Sequence, residues 1–255
     1  MTPSLIRSTA DDSTDAWPIR RILRSSGVQS AILTVLGRIK AAFAWQSREM
    51  PSAGSAVAFR DATLSDVLAV VDLVQSAYRG EASREGWTSE ADLLDGSRID
   101  PDTVREVVSA PRSVVMLAYQ KPALHRAAGA VHRDVDGAVV EELSACCQLA
   151  DEGGSTGYFG LLAVRPDRQG TGIGRAVLAE AERRAAVEWR CSVLRMLVIR
   201  QRTDLIAWYV RLGFALTGGT SPFPYGDERF GLPKRPDLEF VELRKPLGRI
   251  LCPSK

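Results

Sequence analysis

Between Val164 and Trp189 the chain reads VRPDRQGTGIGRAVLAEAERRAAVEW. Gly170, Gly172 and Gly174 occupy alternate positions and run directly into a helical pattern. Glycine at that spacing lets backbone approach a ligand that a side chain would hold off. A helix that starts there leaves its first amides unpaired, with the positive end of the helix dipole behind them. Such a turn favours a phosphate, and Arg168 and Arg175 can add charge. Two common phosphate turns do not fit. A dinucleotide turn counted from Gly170 requires glycine at position 175, which is Arg175, and an acid at the end of the next strand, which is lacking. A P-loop requires Gly-Lys-Ser/Thr after four spacers, and that is absent. On spacing alone, a tight strand-to-helix connection without a ligand also accounts for the glycines.

The elements around the turn follow from periodicity. Tyr158 to Val164 is a nearly continuous apolar run, as in a central strand. A helix is expected from about Gly172 to Glu188, then a buried strand at Val193 to Ile199. A helix capped by Thr203 or Asp204 stops at Gly213. Final strands are expected near Phe214 to Thr217 and Leu238 to Leu243. Upstream, residues 55–63 read as a strand. Thr63 or Ser65 can cap a helix through Tyr78, with Leu64, Val67, Leu68, Val71 and Val74 on its apolar face. A second helical piece is expected from about Ser89, and Asp100-Pro101 opens another helix ending near Ala110. Ser113 to Tyr119 is a buried strand, RAAGAVHRDV another, and Asp136-Gly137 a hairpin signal. Residues 139–157 are ambiguous, with an exposed loop at Asp151 to Gly157. These elements make one α/β domain over roughly residues 57 to 247, with a mixed sheet.

Composition narrows the function classes. The 255 residues carry 33 basic and 31 acidic side chains, a net charge of +2, so no general case exists for a nucleic-acid partner. A hydrophobic content of 45% and a mean hydropathy of -0.07 fit a globular core. No apolar run approaches the roughly 20 residues that span a bilayer, so stable membrane insertion is not expected. Cys146, Cys147, Cys191 and Cys252 include no C-x-x-C pair, and His125 and His132 are the only histidines. No metal site is expected, and a reducing cytoplasm is the default location.

Residues 1–55 differ from the rest. After Asp11, Asp12 and Asp15, the stretch from Ala16 to Arg48 has six basic residues and no acid. Ile32, Val35, Leu36, Ile39 and Phe43 share one helical face. A basic amphipathic helix suits a membrane surface or a transit peptide, and the early aspartates argue against the latter. The plainer expectation is a flexible or loosely docked extension, or a product of start-codon choice, joined through a linker at Met50 to Ser55. The domain itself is taken as 56–248, with 249–255 as a tail.

The turn has a companion further along. LLAVRPDRQGTGIG resembles the acetyl-CoA-binding motif of the GNAT superfamily of N-acetyltransferases, Arg/Gln-x-x-Gly-x-Gly/Ala, matched by Gln169, Gly172 and Gly174 after a strand ending Val164-Arg165-Pro166. About 35 residues beyond Gly174, AWYVRLGF resembles the family's Y-x-x-x-G-F signature, matched by Tyr209, Gly213 and Phe214. The resemblance covers roughly residues 57 to 247. It implies a mixed, mostly antiparallel twisted sheet with a splayed central strand pair, flanked by helices.

The resemblance also implies roles. Acetyl-CoA, as co-substrate, would enter the gap between the strands at 158–164 and 193–199. Its pantetheine arm would pair with Leu162, Ala163 and Val164, and its pyrophosphate would sit on Gln169, Gly170, Thr171, Gly172, Ile173 and Gly174, with Arg175 beside them. Tyr209 falls where the family places its general acid. Many members have Asn seven residues before the tyrosine, and this chain has Arg202. Glu90, Glu141 and Glu142 are open candidates for the base. Acceptors are usually held by the loops that here read YRGEASREGWTSEADL and TGGTSPFPYGDERFGLPKRPDL, which resemble a microbial subgroup with G-W-T-x-E and P-F-P segments. Trp87, Glu90, Phe223 and Tyr225 are the acceptor-pocket candidates, with Glu90 facing a cationic amine. The alternative is that these loops pack their aromatics over the sheet edge. A small-molecule amine acceptor is expected, with a homodimer left open. A protein lysine or N-terminal acetyltransferase and a non-catalytic acyl-CoA-binding module are the competing readings.

Overall fold

The computed structural model describes residues 57–120 and 142–248. The extension expected over residues 1–55, the tail, the strand and hairpin signal near 126–137, Glu141, both histidines and Cys252 lie outside the described residues.

A seven-stranded sheet runs in the order β1-β3-β4-β5-β6-β9-β7. Its strands are β1 (Val57–Asp61), β3 (Ser113–Gln120), β4 (Glu142–Asp151), β5 (Thr156–Val164), β6 (Val193–Ile199), β7 (Ala215–Pro222) and β9 (Glu239–Pro246). Every pairing is antiparallel except β5 with β6. The ambiguous stretch after Val139 is therefore largely strand. Asp151 is buried at the end of β4, and the expected loop shrinks to a turn whose Gly153, Gly154 and Ser155 all have positive φ.

The parallel pair is joined only at Thr156–Val193, Gly157–Leu194 and Tyr158–Arg195. Beyond Tyr158 the two strands pair with their outer neighbours and not with each other. Between Gly160 and Ala163, β5 carries one residue more than β4 opposite, with Leu161 at φ 51. A bulge of this kind bends its strand and breaks the ladder locally. The implied splay is present, and the bulge lies beside it.

Among the described residues, four helices flank the sheet: α1 (Val67–Tyr78), α2 (Pro101–Ser109), α3 (Ile173–Val187) and α4 (Thr203–Arg211). α1 and α3 both pack on β4 and β5. On one face, alternate strand residues Met116, Ala118, Ala145, Cys147, Leu149 and Phe159 meet Val177, Leu178, Ala181 and Ala185 of α3. α2 begins as expected, with Asp100 accepting from the Thr103 amide at 2.8 Å and Pro101 in the first turn.

α1 differs from expectation. Asp66 accepts the Thr63 amide at 2.8 Å and Arg60 at 2.6 Å, fixing a 3-10 turn at Leu64–Asp66 before the α-helix proper. The tighter winding offsets the helical phase. Leu64 and Leu68 are consequently exposed, and Val67, Val70, Leu73, Val74, Ala77 and Tyr78 are buried. Each such aliphatic contributes about 1.5–3 kcal/mol by leaving water.

The helix expected from Ser89 is also replaced. Leu93 and Leu94 close one turn on the Glu90 carbonyl, and the chain then extends as β2 (Leu94–Asp95). β2 pairs antiparallel with β8 (Leu232–Pro233), and Leu94 is buried with Ile199, Phe223 and Leu238. Burying Leu94 in this second core outweighs continuing an isolated short helix.

Candidate active site

The glycine turn is a sequence of backbone requirements. Pro166–Arg168 forms a 3-10 turn, Gln169 is extended, and Gly170 and Gly172 sit at φ 76 and 93. A side chain at either position would be strained in the left-handed region. The space where their Cβ atoms would stand holds no atom within 4 Å. Buried Ile173 anchors the start of α3, and the first helical hydrogen bond runs from the Ala176 amide to the Gly172 carbonyl at 3.1 Å. The amides of Ile173, Gly174 and Arg175 are therefore left without intrahelical carbonyls.

The splay and the turn together enclose a cavity of about 310 Å³. Leu162, Val164, Gln169, Gly170, Gly172, Gly174 and Arg175 line it, along with Trp208 and Tyr209 from α4. Ala163 and Ile173 are buried behind these, and Thr171 is exposed, its hydroxyl donating to the Arg168 carbonyl at 2.7 Å. Arg168 faces Glu142 and Asp167 instead of the cavity, whereas Arg175 lines it and has no ion pair among the described residues.

Tyr209 is held from three sides. α4 has Arg202 as its cap residue instead of Thr203 or Asp204. At its other end the amides of Leu212 and Phe214 both close on the Tyr209 carbonyl, and Gly213 turns at φ 94. Phe214 then folds back, its ring 5.7 Å from Tyr209, and Trp208 is 4.9 Å away. The Y-x-x-x-G-F spacing thus builds one aromatic brace. The Tyr209 side chain is buried, and its hydroxyl makes no hydrogen bond among the described residues. Burial, and then Tyr78, push its pKa up against the pull of Arg202, so the phenol stays protonated.

Tyr78, which sequence reasoning passed over, closes the α1 side of the cavity. Its hydroxyl donates to the Leu162 carbonyl at 2.5 Å, on the β5 bulge. Gln169 is a second link. Its Nε2 donates to the Val164 carbonyl at 3.3 Å, and its Oε1 is buried without a partner. Gly86 lies so close that an added Cβ would stand 2.4 Å from Gln169 Oε1. The G-W-T segment therefore packs directly on the turn, and Trp87 and Thr88 line the cavity.

The other acceptor candidates lie elsewhere. Glu90 does not face the cavity. It is 3% exposed and binds Arg79 at 2.6 Å, Arg202 at 2.9 Å and Arg98 at 3.4 Å. Burial works to raise the Glu90 carboxyl, and Arg98, Arg202 and Arg79 overcome it, so the group titrates below the ordinary carboxylate range. The same burial draws Arg79 down against the attraction of Glu90, although guanidinium stays charged at any working pH. A carboxylate spoken for by three arginines serves neither as a base nor as a counter-ion for an incoming amine. Phe223 is buried in the second core. The Tyr225 hydroxyl accepts from the Leu238 amide at 2.7 Å and donates to the Arg235 carbonyl at 3.0 Å, outside the cavity. These two aromatics brace the loop, as in the packing alternative. Glu142 pairs with Arg165 and Arg168 at the start of β4. Among the described residues no carboxylate lines the cavity.

Comparison with known proteins agrees with this geometry. Residues 129–216 match the model of the acetyltransferase (GNAT) domain. No curated protein sequence matches the chain. A crystal structure assigned as a phosphinothricin N-acetyltransferase is 18% identical, with a TM-score of 0.50 over 76% of this chain and 99% of that one. A point mutant of the spermidine N-acetyltransferase SpeG from Vibrio cholerae is 10% identical, with a TM-score of 0.50 over 78% of this chain and 98% of that one. These two likenesses bear on the fold. The matched residues 129–216 take in both the glycine turn and the tyrosine signature, which meet at one cavity, and that stretch is what the chain shares with the GNAT acetyltransferase domain.

Proposed function

We propose that residues 56–248 transfer an acetyl group from acetyl-CoA directly to the amine of a small molecule within a ternary complex. The observation that carries this is the unpartnered, protonated Tyr209 phenol opening on the same cavity as the glycine turn. The free amides of Ile173 to Arg175 suit the pyrophosphate, with Arg175 adding charge. The β5 edge beyond Tyr158, unpaired towards β6, suits an extended amide-bearing arm. The amine nitrogen bonds to the thioester carbonyl carbon, a backbone N–H steadies the oxyanion, and the C–S bond breaks. Tyr209 gives its proton to the departing thiolate, and the amine's surplus proton passes to water.

A small acceptor is favoured over a protein chain because both candidate loops are stitched together. β2 pairs with β8, and Lys234 reaches the Ala91 carbonyl at 2.7 Å and Asp95 at 2.8 Å. The three described cysteines are buried free thiols, which supports a reducing cytoplasm. A panel of amines, polyamines, amino acids and peptides, assayed with acetyl-CoA for free thiol, tests the reading. Thiol release with small amines and not peptides is expected. Tight acetyl-CoA binding without release under any acceptor would instead mark a binding module.

A further inference from the structure

Three guanidiniums meet one carboxylate beside the cavity. Arg79, Arg98 and Arg202 all pair with Glu90, and none has another ion-pair partner among the described residues. The cluster therefore carries two positive charges in excess. Three of its members are largely out of water, the side chains of Arg79, Glu90 and Arg202 being 2%, 4% and 9% exposed, and Arg98 is 27% exposed. Such an excess is costly to bury unless an anion offsets it.

Arg202 is the member that reaches the cavity. Its guanidinium is fixed before any ligand arrives. One nitrogen donates to Glu90 Oε1 at 2.9 Å, another to Thr88 Oγ1 at 2.9 Å, and the plane stands 5.3 Å over the Tyr78 ring. Its Nε is buried with no partner. A planar, charged donor held this way is suited to a carboxylate. It stands at the N-terminal end of α4, whose dipole also favours negative charge.

We infer that Arg202 receives an acidic group of the acceptor, so that the substrate is an amine that also carries a carboxylate. This rests on the acetyl-transfer reading and narrows its acceptor class. A plain polyamine would bring further positive charge to the cluster and is disfavoured.

The test uses amino acids paired with their amides, which share the amine and differ in the anion. With the wild-type protein and acetyl-CoA, the acids should show kcat/KM about tenfold to a hundredfold above their amides. Arg202→Gln should erase the difference, and Arg202→Lys should restore part of it. Amides used as well as acids by the wild type would overturn the inference. So would an Arg202→Gln variant that raises KM for acetyl-CoA alone and keeps the preference for acids, because the anion would then be a phosphate of the cofactor. A binding arm separates this from the catalytic reading. Calorimetry on the wild-type protein with CoA compares each N-acetylated acid with its amide. If no amine releases thiol, acetyl transfer fails, and tighter binding of the acid still supports the inference while equal binding overturns it.

Discussion

The Tyr78 hydroxyl donates to the Leu162 carbonyl at 2.5 Å across 84 residues of chain. It ties the last residue of α1 to the β5 bulge, where β5 parts from β6. Tyr78→Phe leaves that carbonyl partly buried and unpaired. Stability should fall by about 1–3 kcal/mol in a urea titration, and KM for acetyl-CoA should rise. An unchanged midpoint and KM would show that the bond positions nothing.

Gly86 is required by contact rather than by conformation, since its backbone at φ -81 and ψ 162 admits any residue. Gly86→Ala must push the Gln169 amide off the Val164 carbonyl. KM for acetyl-CoA should rise by about tenfold, the order of one lost hydrogen bond. Adding Gln169→Ala should remove the clash, so the double variant should be less impaired than the sum of the singles. Strict additivity would count against the coupling.

Glu90→Gln leaves the guanidiniums of Arg79 and Arg202, both largely out of water, and the partly exposed Arg98 without a counter-charge. The loss should be about 3–5 kcal/mol at neutral pH by chemical denaturation. The pH dependence has a fixed sign. The folded-state pKa lies below the unfolded value of about 4.3, so the contribution is complete above that value and is lost as pH falls through the folded pKa. The gap between wild type and variant should therefore narrow only in acid. A gap that is constant with pH would contradict the pairing.

Activity against pH should follow the acceptor amine. No carboxylate lines the cavity among the described residues, so kcat/KM should climb as the amine loses its proton. Burial holds the Tyr209 phenol protonated beyond its ordinary range. No downturn is therefore expected near pH 10, the ordinary phenol value. A descending limb there would assign the phenol an unperturbed pKa.

Much of the site was legible because local spacing encodes it. The glycines at 170 and 172 answer to backbone φ, and Gly213 and Phe214 brace Tyr209, all within short stretches of chain. β5 was legible as a nearly continuous apolar run. The misreadings share a long-range cause. Nothing near Ser89 announces that Leu94 will pair with Pro233, or that Glu90 will meet Arg202 across 112 residues. The phase of α1 was lost because a 3-10 turn precedes it. Tyr78 could have been noticed as a polar-tipped aromatic at the end of an apolar helix face, and its partner on β5 could not. Arg202 was visible as a departure from the family's Asn, and only the fold brings it to Glu90, Thr88 and Tyr78.

If Tyr209 protonates the departing thiolate, Tyr209→Phe removes the proton that the leaving group needs. With an acceptor identified, free-thiol release should drop by about a hundredfold or more, while acetyl-CoA affinity by calorimetry stays the same. Turnover equal to wild type would contradict the account.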